Sequence, residues 1–168
     1  MLSENKRHMH VFLSFVEEDL PRVRPLAAAL AASENVSTDY SLTTERFDAP
    51  ESEYIRASLW NRIKRSTATL CLLGDATLKD PWVGWSLRAA YQLRRSLLAA
   101  SFKTAEEPED QSGEAHRLLL DLGVLVVPAQ PEEILRALSH AEQVSAAHRD
   151  SRSLARLLRG LRTPLSTS

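Results

Sequence analysis

Glycine is scarce and scattered in this chain. Its five glycines never cluster, so neither a G-x-G-x-x-G fingerprint nor a P-loop is available to cradle a phosphate. Cysteine is nearly absent. The single Cys71 lies inside the apolar run "ATLCLLG", where it has no partner for an internal disulfide. It reads as a small core residue and fits a reducing, cytoplasmic compartment. No C-x-x-C or H-E-x-x-H occurs, and the "HMH" at His8 to His10 offers two imidazoles on one strand face without a third ligand. A surface role is the better reading of that pair, and no metal is expected. Long apolar runs are also missing. The longest, around "GVLVVPA", falls far short of a bilayer span, and no signal-peptide core precedes the first apolar stretch. A soluble protein away from the membrane is expected. Charge is balanced as well: 21 Lys+Arg against 22 Asp+Glu give a formal net charge of −1, which argues against a nucleic-acid partner.

What is present is an alternation of short apolar runs and amphipathic stretches. At 168 residues, with 43% apolar and 26% charged, the chain suits one soluble domain, 1–168, with a substantial core. "HVFLSF" (10–15) reads as a buried strand running into the polar "VEED", and the helix "DLPRVRPLAAALAAS" follows, with Pro21 and Pro25 confined to its first turns. A second strand falls within "NVSTDYSL", ending near Asp39 and Ser41. Ile55, Leu59 and Ile63 then form one helical stripe, opposite a face of Arg56, Arg62 and Arg65 that reads as solvated. "TATLCLLG" is continuous and apolar, as a strand covered on both faces should be. After "DATLKD", Asp80 is placed as the N-cap and Pro81 as the first residue of a helix.

A fourth strand is expected at "SLLAASF", an acidic mobile loop over 103–116, a fifth strand at "LGVLVVPA" and a helix from Gln130. The last segment, 148–162, is an amphipathic helix whose leucines pack and whose arginines face water. Strands and helices alternating at this spacing predict an α/β, flavodoxin-like, doubly wound parallel sheet of five strands with helices on both faces. Ligands in such folds sit beyond the carboxyl ends of the strands, where the strand order reverses. That rim gathers Ser14 and Phe15 after strand one, Asp39 and Ser41 after strand two, and Gly74 through Asp80 after strand three. Ser14 lacks the G-x-S-x-G context of a nucleophile and reads as a hydroxyl lining the loop. Trp82 and Trp85 open the next helix. Trp82 is expected mainly to pack, and Trp85 partly to line the cleft or a subunit contact.

"VFLSF" with its trailing acids, then "DYS", then "YIRASLWNRIKRSTATLCLLGDATLKDPWVGWSLRAA", resembles the TIR-like domains of bacterial anti-phage systems. The likeness is strongest to the TIR-like protein of Thoeris defence, and it covers roughly residues 9–100. Its most specific part is the ordered series Ile63 to Ser66, apolar strand, "LLG", Thr77, and Trp82-Val83 opening a helix. The resemblance implies the flavodoxin-like fold and an activity: cleavage of NAD+ at the nicotinamide–ribose bond, in some members with cyclisation to a signal. That signal activates a separate effector protein. It also implies self-association into a homo-oligomer, with NAD+ or a related nucleotide as substrate or ligand and no tightly bound cofactor.

Active members follow the Trp-Val pair with a glutamate, in a pattern like W-V-x-[WY]-E. Here Ser86 occupies that position. An oxocarbenium-like sugar develops positive charge as the bond breaks, and a nearby carboxylate stabilises it. A serine hydroxyl can hydrogen-bond to the ribose but supplies no opposing charge. Glu45, Glu51, Glu53, Asp75 and Asp80 are the rim carboxylates that could stand in. Most of these read as structural, and Asp39 is the better polar contact. Three readings follow: a TIR-like enzyme with residual or rescued catalysis, a non-catalytic TIR-like module that binds a nucleotide or protein and acts by assembly, and a receiver domain on the same fold. The last lacks the paired aspartates that would hold Mg2+.

Overall fold

The computed structural model describes residues 7–43, 46–103 and 114–142. Glu45, most of the acidic 103–116 stretch and the amphipathic 148–162 segment lie outside the described residues. The elements are β1 (Met9–Ser14), α1 (Leu20–Ala31), β2 (Val36–Asp39), α2 (Ser52–Arg65), β3 (Ala68–Leu73), α3 (Pro81–Gln92), β4 (Ser96–Ser101), α4 (Glu114–Asp121) and β5 (Val126–Pro128). A last described helix, α5, covers residues 131–142.

The five strands form one sheet in the order β2-β1-β3-β4-β5, and every pairing is parallel. This is the flavodoxin-like order expected from the alternating pattern. The continuous apolar run "ATLCLL" became the central strand β3, buried at all six positions. The edge strands are shorter and wetter: β2 is half-buried to exposed, and Val126 of β5 is exposed.

Helices cover both faces. Val23, Leu26 and Leu30 of α1 join Ile134 and Leu138 of α5 against Val11, Leu70 and Leu98 on one side. On the other, Val83 and Leu87 of α3 pack with Cys71, Ala99 and Leu119, and Leu59 and Ile63 of α2 pack with Phe12 and Trp82. Burying a large aliphatic side chain such as these contributes roughly 1.5–3 kcal/mol each.

One expectation, the extent of the acidic loop, needs correction. Pro25 lies in the second turn of α1, within the first turns as read. It is tolerated because its position is exposed, so water can satisfy the carbonyl that loses its donor. α4 begins at Glu114, inside the stretch read as an acidic loop. Leu119 supplies the reason, since it is 4% exposed and packs against the α3 layer.

Candidate functional site

The strand order reverses between β1 and β3, and the carboxyl ends of β1, β2 and β3 share the rim beside that point. A shallow cleft opens there. Ser14 and Phe15 at the end of β1 form one wall, Ser41 and Thr43 after β2 a second, and Trp82 and Ser86 of α3 the third, with Phe12, Leu13, Leu59 and Val83 completing the lining.

The start of α3 is placed by its cap. Asp80 accepts backbone N–H bonds from Trp82 at 2.8 Å and Val83 at 3.2 Å, and Pro81 opens the helix. This satisfies the first-turn donors and aims the next turn at the cleft. Ser86, one turn further, is 4% exposed and lines the cleft. Trp82 is buried beside it and meets Phe47 edge-on at 5.0 Å. Arg56 stacks over the other side of Phe47 at 4.4 Å and donates to its carbonyl at 2.9 Å. These contacts fix Phe47 between Arg56 and Trp82, the latter a wall of the cleft. Cation–π and edge-to-face contacts of this kind each contribute about 0.5–1.5 kcal/mol.

Of the residues expected at the site, Ser14, Phe15, Ser41, Trp82 and Ser86 come together in this cleft. Asp39, Gly74 and Trp85 lie outside its lining. Asp39 is turned to Arg62, with the guanidinium 3.1 Å from its carboxylate. Arg62 also donates to the Tyr40 carbonyl at 2.9 Å, so the arginine face of α2, read as solvated, instead fastens the end of β2. Trp85 tilts against Trp60 of α2 at 6.5 Å between ring centres. Phe15 meets Tyr40 edge-on at 5.3 Å.

Gly74 serves a different arrangement that the sequence did not reveal. A Cβ at Gly74 would collide with the carboxylate of Asp19. Asp19, 4% exposed, ion-pairs with Arg22 and accepts from the Thr77 hydroxyl at 3.4 Å. The Gly74 N–H in turn donates to Thr77 Oγ1 at 2.7 Å. This knot ties the loop after β1 to the loop after β3, because burying a carboxylate requires both an opposite charge and hydrogen bonds. The sequence signal was the "EED" run, but its burial depends on a glycine far along the chain.

The cleft is polar without charge. Ser14, Ser41, Thr43 and Ser86 present hydroxyls, and Phe12, Phe15 and Trp82 present rings. Among the described residues no carboxylate lines it. Glu51 and Glu53 are exposed at the start of α2, Asp75 is exposed and pairs with Lys103 at 3.4 Å, and Asp80 is committed to its cap. Hydroxyls and rings can hold a sugar and stack on a base, but nothing on these walls opposes a positive charge. Among the described residues there is also no group of three or more side chains suited to a metal. No helix among them is long and apolar enough to cross a membrane.

No curated protein matches the sequence. Among solved structures, the fold is similar to the CMP N-glycosidase BcmB of Clostridium botulinum. The TM-score is 0.51 at 15% identity, covering 77% of this chain and 98% of that one. The TIR domain model matches residues 11–158. That span reaches all five strands and the whole cleft, and the chain therefore belongs to the TIR domain family.

Proposed function

We propose that this TIR-domain chain binds NAD+ or a related nucleotide in the cleft between β1, the segment after β2 and α3. With Ser86 where resembling enzymes carry glutamate, it acts as a binding module that cleaves the nicotinamide–ribose bond slowly. The observation that carries this reading is the cleft lining: four hydroxyls and three aromatic rings with no carboxylate among the described residues. Removing one preorganised electrostatic group typically slows a reaction by about 10²–10³. Binding does not depend on that charge in the same way. The similar fold of a protein named as a CMP N-glycosidase accords with a nucleotide in this position.

The biological setting follows from the sequence resemblance alone: bacterial anti-phage defence of the Thoeris kind, in which a nucleotide signal reaches a separate effector and TIR-like domains self-associate. Ser14, Ser41 and Ser86 hold the ribose hydroxyls in this account, and Trp82 and Phe15 frame the rings.

Isothermal titration with NAD+ tests it. Binding is expected for the native chain, weakened several-fold by Ser14→Ala or Ser41→Ala, the scale of one net hydrogen bond of about 1 kcal/mol. Absence of binding, or binding indifferent to both substitutions, would sink the proposal.

A further inference from the structure

At the opposite end of the sheet, where β1, β3 and β4 begin, lies a second and larger cavity of about 250 Å3, lined among others by Arg7, His8, Thr67, Arg94, Arg95 and Ser96. Among the described residues, Glu142 of α5 is the one acidic residue on its walls. In a chain of net charge −1, three guanidiniums in one concavity are a local concentration of positive charge, not a sign of a basic protein.

Two features of the backbone and side chains point these groups at a ligand. α3 ends in a Schellman motif: the Arg95 N–H donates to the Ala90 carbonyl at 2.9 Å and the Arg94 N–H to the Tyr91 carbonyl at 3.0 Å. The left-handed position of that motif is normally glycine. Here Arg94 occupies it at φ 57, an unfavourable conformation for a residue with a Cβ. Arg95 is then held from one side, its Nη2 donating to the Lys64 carbonyl at 2.8 Å. Its Nε remains buried with no hydrogen-bond partner. A buried donor left without a partner is a cost that an oxyanion admitted beside the guanidinium would relieve. Thr67 Oγ1 accepts the His10 N–H at 3.0 Å, which leaves its own proton to donate. Among the described residues, neither Arg7 nor Arg94 forms an ion pair.

We propose that this cavity is a second binding site, distinct from the carboxyl-end cleft, for a phosphate-bearing small molecule held by Arg7, Arg94 and Arg95. Planar guanidiniums match phosphate oxygens bidentately. The site is concave and the chain carries no net positive field, so a small anion fits better than a nucleic-acid backbone.

The test is titration of the full chain with inorganic pyrophosphate, followed by amide chemical-shift mapping. Shifts are expected at Thr67, Arg95 and Ser96, with affinity falling as salt is raised. Arg94→Gly removes the guanidinium and relieves the backbone, so its melting temperature should rise while pyrophosphate affinity falls about tenfold, the scale of one charge-assisted hydrogen bond. Arg7→Ala, outside every helix and strand, should weaken binding similarly, and Arg24→Ala on α1 should leave it intact. No binding at millimolar pyrophosphate would overturn the proposal. So would shifts confined to Gly74 and Lys103, or affinity unchanged in both Arg94→Gly and Arg7→Ala.

Discussion

Arg62 of α2 holds Asp39 at the end of β2, guanidinium to carboxylate at 3.1 Å, while also donating to the neighbouring Tyr40 carbonyl. The pair lies at the surface, with side-chain exposures of 38% and 55%. It orients the strand end but removes Asp39 from the search for a substitute acid. Asp39→Asn is expected to change any nicotinamide release by less than about twofold. Chemical denaturation should show a loss under about 1 kcal/mol, as for other exposed ion pairs. A collapse of activity in Asp39→Asn would instead make that carboxylate part of the chemistry.

Gly74 and Asp19 are packed so closely that no side chain fits between them. Gly74→Ala must push the buried carboxylate away from Thr77 and disturb its pairing with Arg22. The expected destabilisation is about 1–3 kcal/mol, the range for overpacking a filled interior, measured as a shift in urea midpoint at unchanged slope. Asp19 does not line the cleft, so a folded Gly74→Ala protein should keep its NAD+ affinity.

Cys71 is fully enclosed in β3, and burial pushes its thiol from the ordinary 9.0 up to about 12. Folding therefore favours the protonated thiol. Above the unfolded value the unfolded chain releases a proton that the native chain retains, so stability falls as pH rises between about 9 and 12. Cys71→Ala should flatten that alkaline loss. A thiol reagent at pH 8 should label the native protein only at the rate of unfolding, and immediate labelling would contradict the burial.

The sheet was legible because its strands are continuous apolar runs separated by helical stripes, a pattern with few alternative folds. The start of α3 was legible from Asp80-Pro81 alone, since cap and first-turn chemistry are local. What escaped depends on distant residues meeting. Asp19, Gly74 and Thr77 converge because β1 and β3 pair in parallel, and no local pattern announces that. Phe47 clamps Trp82 only because Arg56 stacks behind it. The helix α4 was hidden by the acidic stretch before it, its packing residue Leu119 giving too short a stripe to outweigh the polar context. Nothing local singles out Arg7, Arg94 and Arg95, which meet only because the sheet brings the starts of β1 and β4 to one end, on either side of β3.

We propose a cleft that holds the nucleotide and lacks the charge that would cleave it quickly. Nicotinamide release from NAD+ by the native chain and by Ser86→Glu, at equal concentration and over hours, tests it most directly. The expected result is slow release by the native chain and a rate about 10²–10³ higher in Ser86→Glu. Native release as fast as that of Ser86→Glu, or none from either protein, would contradict it.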